Sequence, residues 1–232
     1  MQGFDLRMPG AYAEYATCAA ALAIRIPEAL SFIDAATIEP LAVGLNAWKA
    51  GQVEDGGNIL VLGAGIIGLA IAKWAKFFGA AHVGVSEMVP ARIERARQAG
   101  ATLVINAAEC ANPVEEYERQ TGQRPSVIFE CIGRPMIASM IEMAPIRAHL
   151  VLVGTGMQPE NFTVLSAAYK RLRMTFPLGY DPEHFGFVLQ MLAAGRITIE
   201  PLVTGTVSLD ELPQMFEVLH KPNDHCKVLV TP

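Results

Sequence analysis

The strongest chemical pattern in this sequence is Gly63, Gly65 and Gly68, spaced as GxGxxG, followed by the carboxylate of Glu87 about 20 residues further on. The first glycine permits a tight turn, the second lets backbone approach a pyrophosphate, and the third lets a helix pack closely on the strand before it. Phosphates held there meet free N–H groups and the positive end of a helix dipole. An acid at the place of Glu87 accepts hydrogen bonds from adenosine ribose hydroxyls. It would repel a 2′-phosphate, which argues for NAD over NADP.

The pattern needs a strand before it and a helix after it, and both are present. Residues 59–62 are a uniformly apolar run, as in a parallel strand covered on both faces. The helix that follows the glycines carries Leu69, Ile71, Trp74 and Phe77 with Lys73 and Lys76 outward, and Gly79 stops it. A second strand spans residues 83–86 and ends at Glu87. Further strands are predicted at 103–106, 127–131, 149–153 and 173–178, alternating with helices at 90–98, 113–120 and 136–143. Asn112 is the predicted cap of the second of these helices, with Pro113 in its first turn. This alternation means βαβ units and a doubly wound parallel sheet, an α/β Rossmann fold of six strands.

The flanks read differently. Two strands are predicted at 12–18 and 21–26, then a helix capped by Ser31 with Asp34, an interruption at Glu39 and Pro40, and a helix over 41–50 ending at Gly51. After the sheet come a helix at 182–194, a strand near 202–207, a helix capped by Ser208 or Asp210, and a strand at 227–231. The domain reading is a partial β-rich unit at 1–39, a dinucleotide domain at 40–180, and a return to the first unit at 181–232.

Composition bounds the function. With 52% hydrophobic residues in 232, a large core is possible, while a net charge of −5 leaves no basic stripe and speaks against nucleic acid as the main partner. The opening MQGFDLRMPG lacks the apolar core of a leader peptide, and no uncharged run reaches the roughly 20 residues of a membrane span. Cys18, Cys110, Cys131 and Cys226 are scattered without CxxC or Cys/His ligand spacing, so a structural zinc site is not supported. Reduced thiols in a cytoplasmic protein are the simple reading.

In order along the chain, GAYAEYA, IEPLAVGLNAWKAG, GAGIIG, VSEMVPARIERARQAGA, FECIG, VLVGTG and KVLV resemble the medium-chain dehydrogenase/reductase family. EPLAVG is most similar to its zinc-dependent alcohol and polyol (sorbitol-type) branch. The resemblance implies a pyrophosphate held by Gly63, Gly65, Ile66, Ile67 and Gly68, and an adenosine ribose held by Glu87, with Arg92 and Arg134 beside the adenosine. It places Cys131, Ile132, Val153, Thr155 and Leu178 on the nicotinamide side, Val43 against the ring, and Lys227 near the pyrophosphate. Tyr180 borders the substrate cleft together with Thr155.

Glu39 falls where the family supplies a carboxylate or thiolate to a catalytic zinc. Such a site needs about three protein ligands. The family's other ligands come from sequence ahead of Met1, and none of His82, His149, His184, His220 and His225 matches them. Glu39 is therefore expected to be an orphan ligand position. Zinc is expected only if the missing ligands are supplied elsewhere, and no catalytic residue is assigned. The resemblance implies hydride transfer between a secondary alcohol and NAD, by a chain lacking the N-terminal part of the catalytic domain and weak or inactive alone. Two other readings stand beside it: a non-catalytic NAD-binding protein, and a zinc-free quinone or enone reductase. Unpartnered apolar surface predicts a homo-oligomer, paired through the sheet edge near Met174 and Leu178, with a small-molecule substrate and no membrane partner.

Overall fold

Short apolar runs closed by glycine or asparagine turns build one six-stranded sheet, and the helices between them cover both its faces. The structure is a computed structural model and describes residues 10–221 and 223–232. Most of the opening segment read above for a leader therefore lies outside the described residues. After a 3-10 turn at Ala20–Leu22 come α1 (Phe32–Ala35), α2 (Ile38–Gly51), β1 (Asn58–Leu62), α3 (Ile66–Phe77), β2 (His82–Glu87) and α4 (Pro90–Ala99). They are followed by β3 (Leu103–Asn106), α5 (Pro113–Thr121), β4 (Val127–Glu130), α6 (Ile137–Met143), β5 (His149–Leu152), α7 (Val164–Tyr169) and β6 (Arg173–Thr175). The chain closes with α8 (Pro182–Ala193), β7 (Val203–Ser208), α9 (Leu212–Leu219) and β8 (Lys227–Thr231).

Strand order is β3-β2-β1-β4-β5-β6, every neighbouring pair parallel. The chain leaves β1 toward β2 on one side and later returns to β4 on the other, so the connections reverse direction beside β1. Alternation along β1 explains its uniform apolarity. Ile59 and Val61 enter one core with Leu41, Leu45, Trp74 and Val188, while Leu60 and Leu62 enter the other with Val114, Tyr117, Ile128 and Met140.

On the first face α2 crosses α3 closely. A Cβ built on Gly44 would lie 2.5 Å from Ala70 Cβ, and Trp74 Nε1 donates to the Leu41 carbonyl at 2.8 Å. Asn112 caps α5 as predicted, its side chain accepting from Val114 N and Glu115 N. Ser31 and Asp34 likewise form a capping box on α1.

Several expectations are corrected. Residues 12–18 and 21–26 form no strands: a strand needs a neighbour to complete its ladder, and none stands beside them among the described residues. Glu39 and Pro40 do not interrupt a helix. They open α2, where a proline's missing N–H costs nothing because first-turn N–H groups lack intrahelical partners. Gly51 is the last residue of α2, and Gln52 takes the left-handed cap at φ 47°. β6 stops at Thr175, short of 178, with Pro177 offering no N–H to extend the ladder. Neither Ser208 nor Asp210 caps α9 directly. Ser208 and Glu211 bond each other across the turn ahead of it, and the helix begins at Leu212. The exposed helix α7 adds an element that the sequence pattern does not announce.

β7 and β8 form a separate two-stranded parallel sheet. Among the described residues no helix is long and apolar enough to cross a membrane.

Candidate functional site

The carboxyl ends of β1, β2, β4 and β5 finish level. Leu62 pairs with Ser86 on one side and Glu130 on the other, and Glu130 pairs with Leu152. Gly63, Glu87, Cys131 and Val153 therefore leave the sheet along one edge, beside the strand where the connections reverse. In open α/β sheets this crevice is where ligands bind.

The glycine loop is held from below. Gly63 takes φ 95°, which favours glycine, and its N–H donates to Ser86 O at 2.8 Å. A Cβ on Gly68 would stand 2.0 Å from Gly63 O, so the helix start sits directly on the turn. A Cβ on Gly65 would meet nothing within 4 Å. That glycine caps α3 with its outer side open, and Ile66 and Ile67, half-buried, begin the helix. These are the features a backbone cradle for phosphate requires, and they fit a dinucleotide.

Glu87 is 7% exposed. Its Oε2 accepts from Ala64 N at 3.0 Å, and its Oε1 accepts from Met88 N at 2.7 Å and Val89 N at 3.0 Å. The carboxylate thus braces the glycine loop against the β2–α4 turn. Arg92 lies in the first turn of α4, and its Nε is buried without a partner.

Glu130 is the corresponding brace at the end of β4, and sequence reasoning passed over it. Its Oε1 accepts from Ile132 N at 2.6 Å and Gly133 N at 2.7 Å. A Cβ on Gly154 would lie 2.5 Å from its Oε2 and 2.3 Å from Gly133 N, so the loops after β4 and β5 touch through that glycine. The available signal was a carboxylate ending an apolar strand, VIFE, the same pattern as VSE at Glu87.

Cys131 follows, its thiol pushed far up by burial and by the Glu130 charge. Ile132, 47% exposed, lies against the position of a Gly63 Cβ, and Met88, 59% exposed, follows Glu87. Both are apolar surfaces on which a planar base could rest. Arg134, exposed, lines a cavity of about 310 Å³ with Gly133, Pro135, Gly156, Met157 and Gln158. Val153 and Thr155 continue from β5, the first half-buried and the second exposed.

Farther along the edge, Asn46 Nδ2 donates to Gly179 O at 3.1 Å and ties the loop after β6 to α2. Leu178 is exposed on that loop, and Val43 is half-buried on α2. Burial raises the Tyr180 phenol, and the Glu39 carboxylate adds to the rise, which puts Glu39 and Tyr180 in one neighbourhood. Lys227 is half-buried at the start of β8.

Zinc does not fit these residues. Glu39 is exposed and belongs to no group of three potential ligands among the described residues. The group that does exist, Asp181, Glu183 and His184, surrounds the start of α8. There His184 Nδ1 accepts from Asp181 N at 3.3 Å, which leaves the ring proton on Nε2.

Residues 67–194 match the family described as zinc-binding dehydrogenase. Human sorbitol dehydrogenase is 33% identical over 206 residues, 87% of this chain and 57% of the relative. The starvation-sensing protein RspB of Escherichia coli K12 is 30% identical over 225 residues, 96% of this chain and 66% of the relative. The crystal structure of a dehydrogenase from Escherichia coli CFT073, complexed with NADH, superposes with a TM-score of 0.86 at 28% identity, covering 96% of this chain and 66% of that one. The chain thus spans about three fifths to two thirds of the length of these relatives.

Proposed function

The chain belongs to the zinc-binding dehydrogenase family, and from that membership we propose that it binds NAD(H) and serves hydride transfer between a secondary alcohol and the nicotinamide. The observation that carries the cofactor reading is the glycine loop: Gly68 closed on Gly63 O, Gly65 open above, and Glu87 bonded to Ala64 N. In this reading the α3 N-terminus and residues 63–68 hold the pyrophosphate. Glu87 and Arg92 serve the adenosine ribose, with Lys227 near the phosphates. Arg134 lies beside the adenosine, and Ile132 belongs with the nicotinamide side. Cys131, Val153, Thr155, Leu178 and Val43 face the nicotinamide, whose C4 supplies the hydride-accepting chemistry when the cofactor is bound. Residues 40–180 form the cofactor domain, and the separate β7–β8 sheet supports assigning 181–232 to a second unit.

No step is assigned to a metal. The described residues offer Glu39 alone where about three ligands are needed. For assembly, the reading is a homo-oligomer paired along β6, just past which Phe176 and Leu178 are 66% and 81% exposed.

The test is a titration with NADH, exciting Trp48 and Trp74 and following energy transfer to the reduced nicotinamide, with Glu87→Ala as control. Saturable binding that weakens in the control supports the reading. A folded protein that shows no transfer at millimolar NADH refutes it. Turnover of polyols or simple secondary alcohols with NAD is then the measure of the enzymatic reading.

A further inference from the structure

Glu130 ends β4 as a carboxylate that is 3% exposed, and among the described residues no ion pair involves it. A buried charge without a counter-ion is costly and persists where backbone dipoles meet it. Here they meet one oxygen. Oε1 accepts from Ile132 N and Gly133 N, while Oε2 accepts from no described residue.

The same residue also serves the neighbouring strand. Its main-chain oxygen accepts from Val153 N and Gly154 N, both at 2.9 Å, where the chain leaves β5. Gly154 comes so close to the carboxylate that a Cβ on it would lie 2.5 Å from Oε2. A Cβ on Gly133 would in turn lie 3.6 Å from Thr155 N. The turn after β4 and the turn after β5 are thus fastened to one residue, the first by its carboxylate and the second by its carbonyl.

One half of the crevice hangs on this clasp. Cys131 follows Glu130, Ile132 is bonded to the carboxylate, Val153 is bonded to the carbonyl, and Thr155 abuts Gly133. These are the residues assigned above to the nicotinamide side. Glu87 and Arg92, assigned to the adenosine ribose, stand on β2 and α4, across β1 from β4. Glu87 holds its own surroundings through Ala64, Met88 and Val89. Two buried carboxylates at the ends of β2 and β4 therefore brace different ends of one crevice.

We propose that Glu130 is a positioning residue for the nicotinamide end alone, joining the β4 and β5 turns into one unit while the adenosine end is left to Glu87. This rests on the dinucleotide reading above. The negative charge suits the task, because hydrogen bonds to an ionised acceptor are roughly twice as strong as neutral ones. Glutamine keeps the shape and one acceptor, and should hold the turn less firmly.

The test is calorimetric titration with NADH and with ADP-ribose, which lacks the nicotinamide ring, on wild type, Glu130→Ala, Glu130→Gln and Gly154→Ala. Glu130→Ala leaves two backbone N–H groups unmet and should weaken NADH roughly tenfold, with ADP-ribose within about threefold of wild type. Glu130→Gln should weaken NADH by a smaller factor. Gly154→Ala drives a methyl against the carboxylate from the β5 side and should give the same roughly tenfold split. Combined with Glu130→Gln, it should weaken NADH by less than the product of the single effects, because both act on one contact. Hydrogen exchange should quicken together over residues 131–134 and 153–156 in these variants and stay unchanged over 63–67. Equal weakening of both ligands overturns the proposal and leaves the dinucleotide reading intact, as does NADH binding unchanged in Glu130→Gln and Gly154→Ala. Exchange that quickens in only one of the two turns also overturns it. A wild-type protein that binds neither ligand overturns the dinucleotide reading and the proposal with it. If Glu130→Ala does not fold, Glu130→Gln and Gly154→Ala carry the same test.

Discussion

Replacing Gly65 and Gly68 with alanine, one at a time, separates the two duties of the glycine loop. At Gly68 the new Cβ would sit 2.0 Å from Gly63 O and 3.1 Å from its carbonyl carbon, where ordinary contact begins at 3.4 Å. The obstacle is backbone and cannot rotate aside, so α3 must withdraw from the β1 turn by about 1.4 Å. Overpacking of that kind costs about 3 kcal/mol at the upper end of the usual range. At 2–4 °C per kcal/mol for a chain of this size, Tm should fall by about 6–12 °C. At Gly65 the Cβ meets nothing within 4 Å and φ is −73°. Alanine there forfeits a few tenths to about 1 kcal/mol of capping preference and recovers a similar amount from the less flexible unfolded chain, so Tm should stay within about 4 °C. The same Cβ stands where phosphate must approach, so NADH affinity should drop at least tenfold, on the order of 1.4 kcal/mol. Thermal unfolding followed by circular dichroism and the NADH titration measure the two quantities. Equal stability loss in the two variants would refute the packing argument. A Gly65→Ala protein that binds NADH like wild type would refute the assignment of the loop to phosphate.

Three further outcomes are expected. His149 is held neutral between Gly51 O and the Thr175 hydroxyl, and burial lowers it below its ordinary value, as burial also lowers His184. A histidine depressed in the folded state binds more protons unfolded, so stability should fall as pH drops through the unfolded value near 6.5 and be fully present above it. Urea melts at pH 7.5 and 5.5 measure the loss, and His149→Gln should reduce it; a loss unchanged in the variant would exclude His149 as its source. Trp74→Phe removes the indole donor to Leu41 O and part of a fully buried side chain, and should cost about 2–4 kcal/mol, chiefly from lost volume, as read from denaturant midpoints at constant m. Iodoacetamide at pH 8 should label exposed Cys18 well before Cys131 and Cys226, whose thiols burial pushes up; mass spectrometry showing Cys131 labelled first would contradict the packing of the β4 turn.

What was legible in the sequence was what repeats with short range. Gly63, Gly65 and Gly68 between an apolar run and an amphipathic helix left few other folds, and the six strands stand in the order such a fold requires. Boundaries slipped where a local signal had two meanings: Glu39-Pro40 reads as a break from inside a helix and as a start from outside it. Residues 12–26 carry strand-forming side chains, but pairing is a property of neighbours, and local composition does not record it. α7 is six residues long and almost wholly apolar, too short and too uniform to show a helical period. Of the candidate site, the glycines and Glu87 were visible because their spacing is fixed by one βαβ unit. Glu130 was not, because its meaning depends on which backbone lies opposite, which only tertiary structure supplies.

The two faces of the sheet carry different chromophores. Trp48 stacks on Phe78 at 5.9 Å and Trp74 packs with Phe77, Phe78 and Phe187, all on the side of α2, α3 and α8. The opposite core holds Tyr117, wedged over Gly84 with its hydroxyl donating to His82 O. Indole emission therefore reports one layer, and the absorbance of a buried phenol is weighted toward the other. Stopped-flow refolding watched by both signals would time the closure of each layer separately: coincident traces mean the sheet is covered on both sides in one event, and divergent ones mean one layer waits for the other.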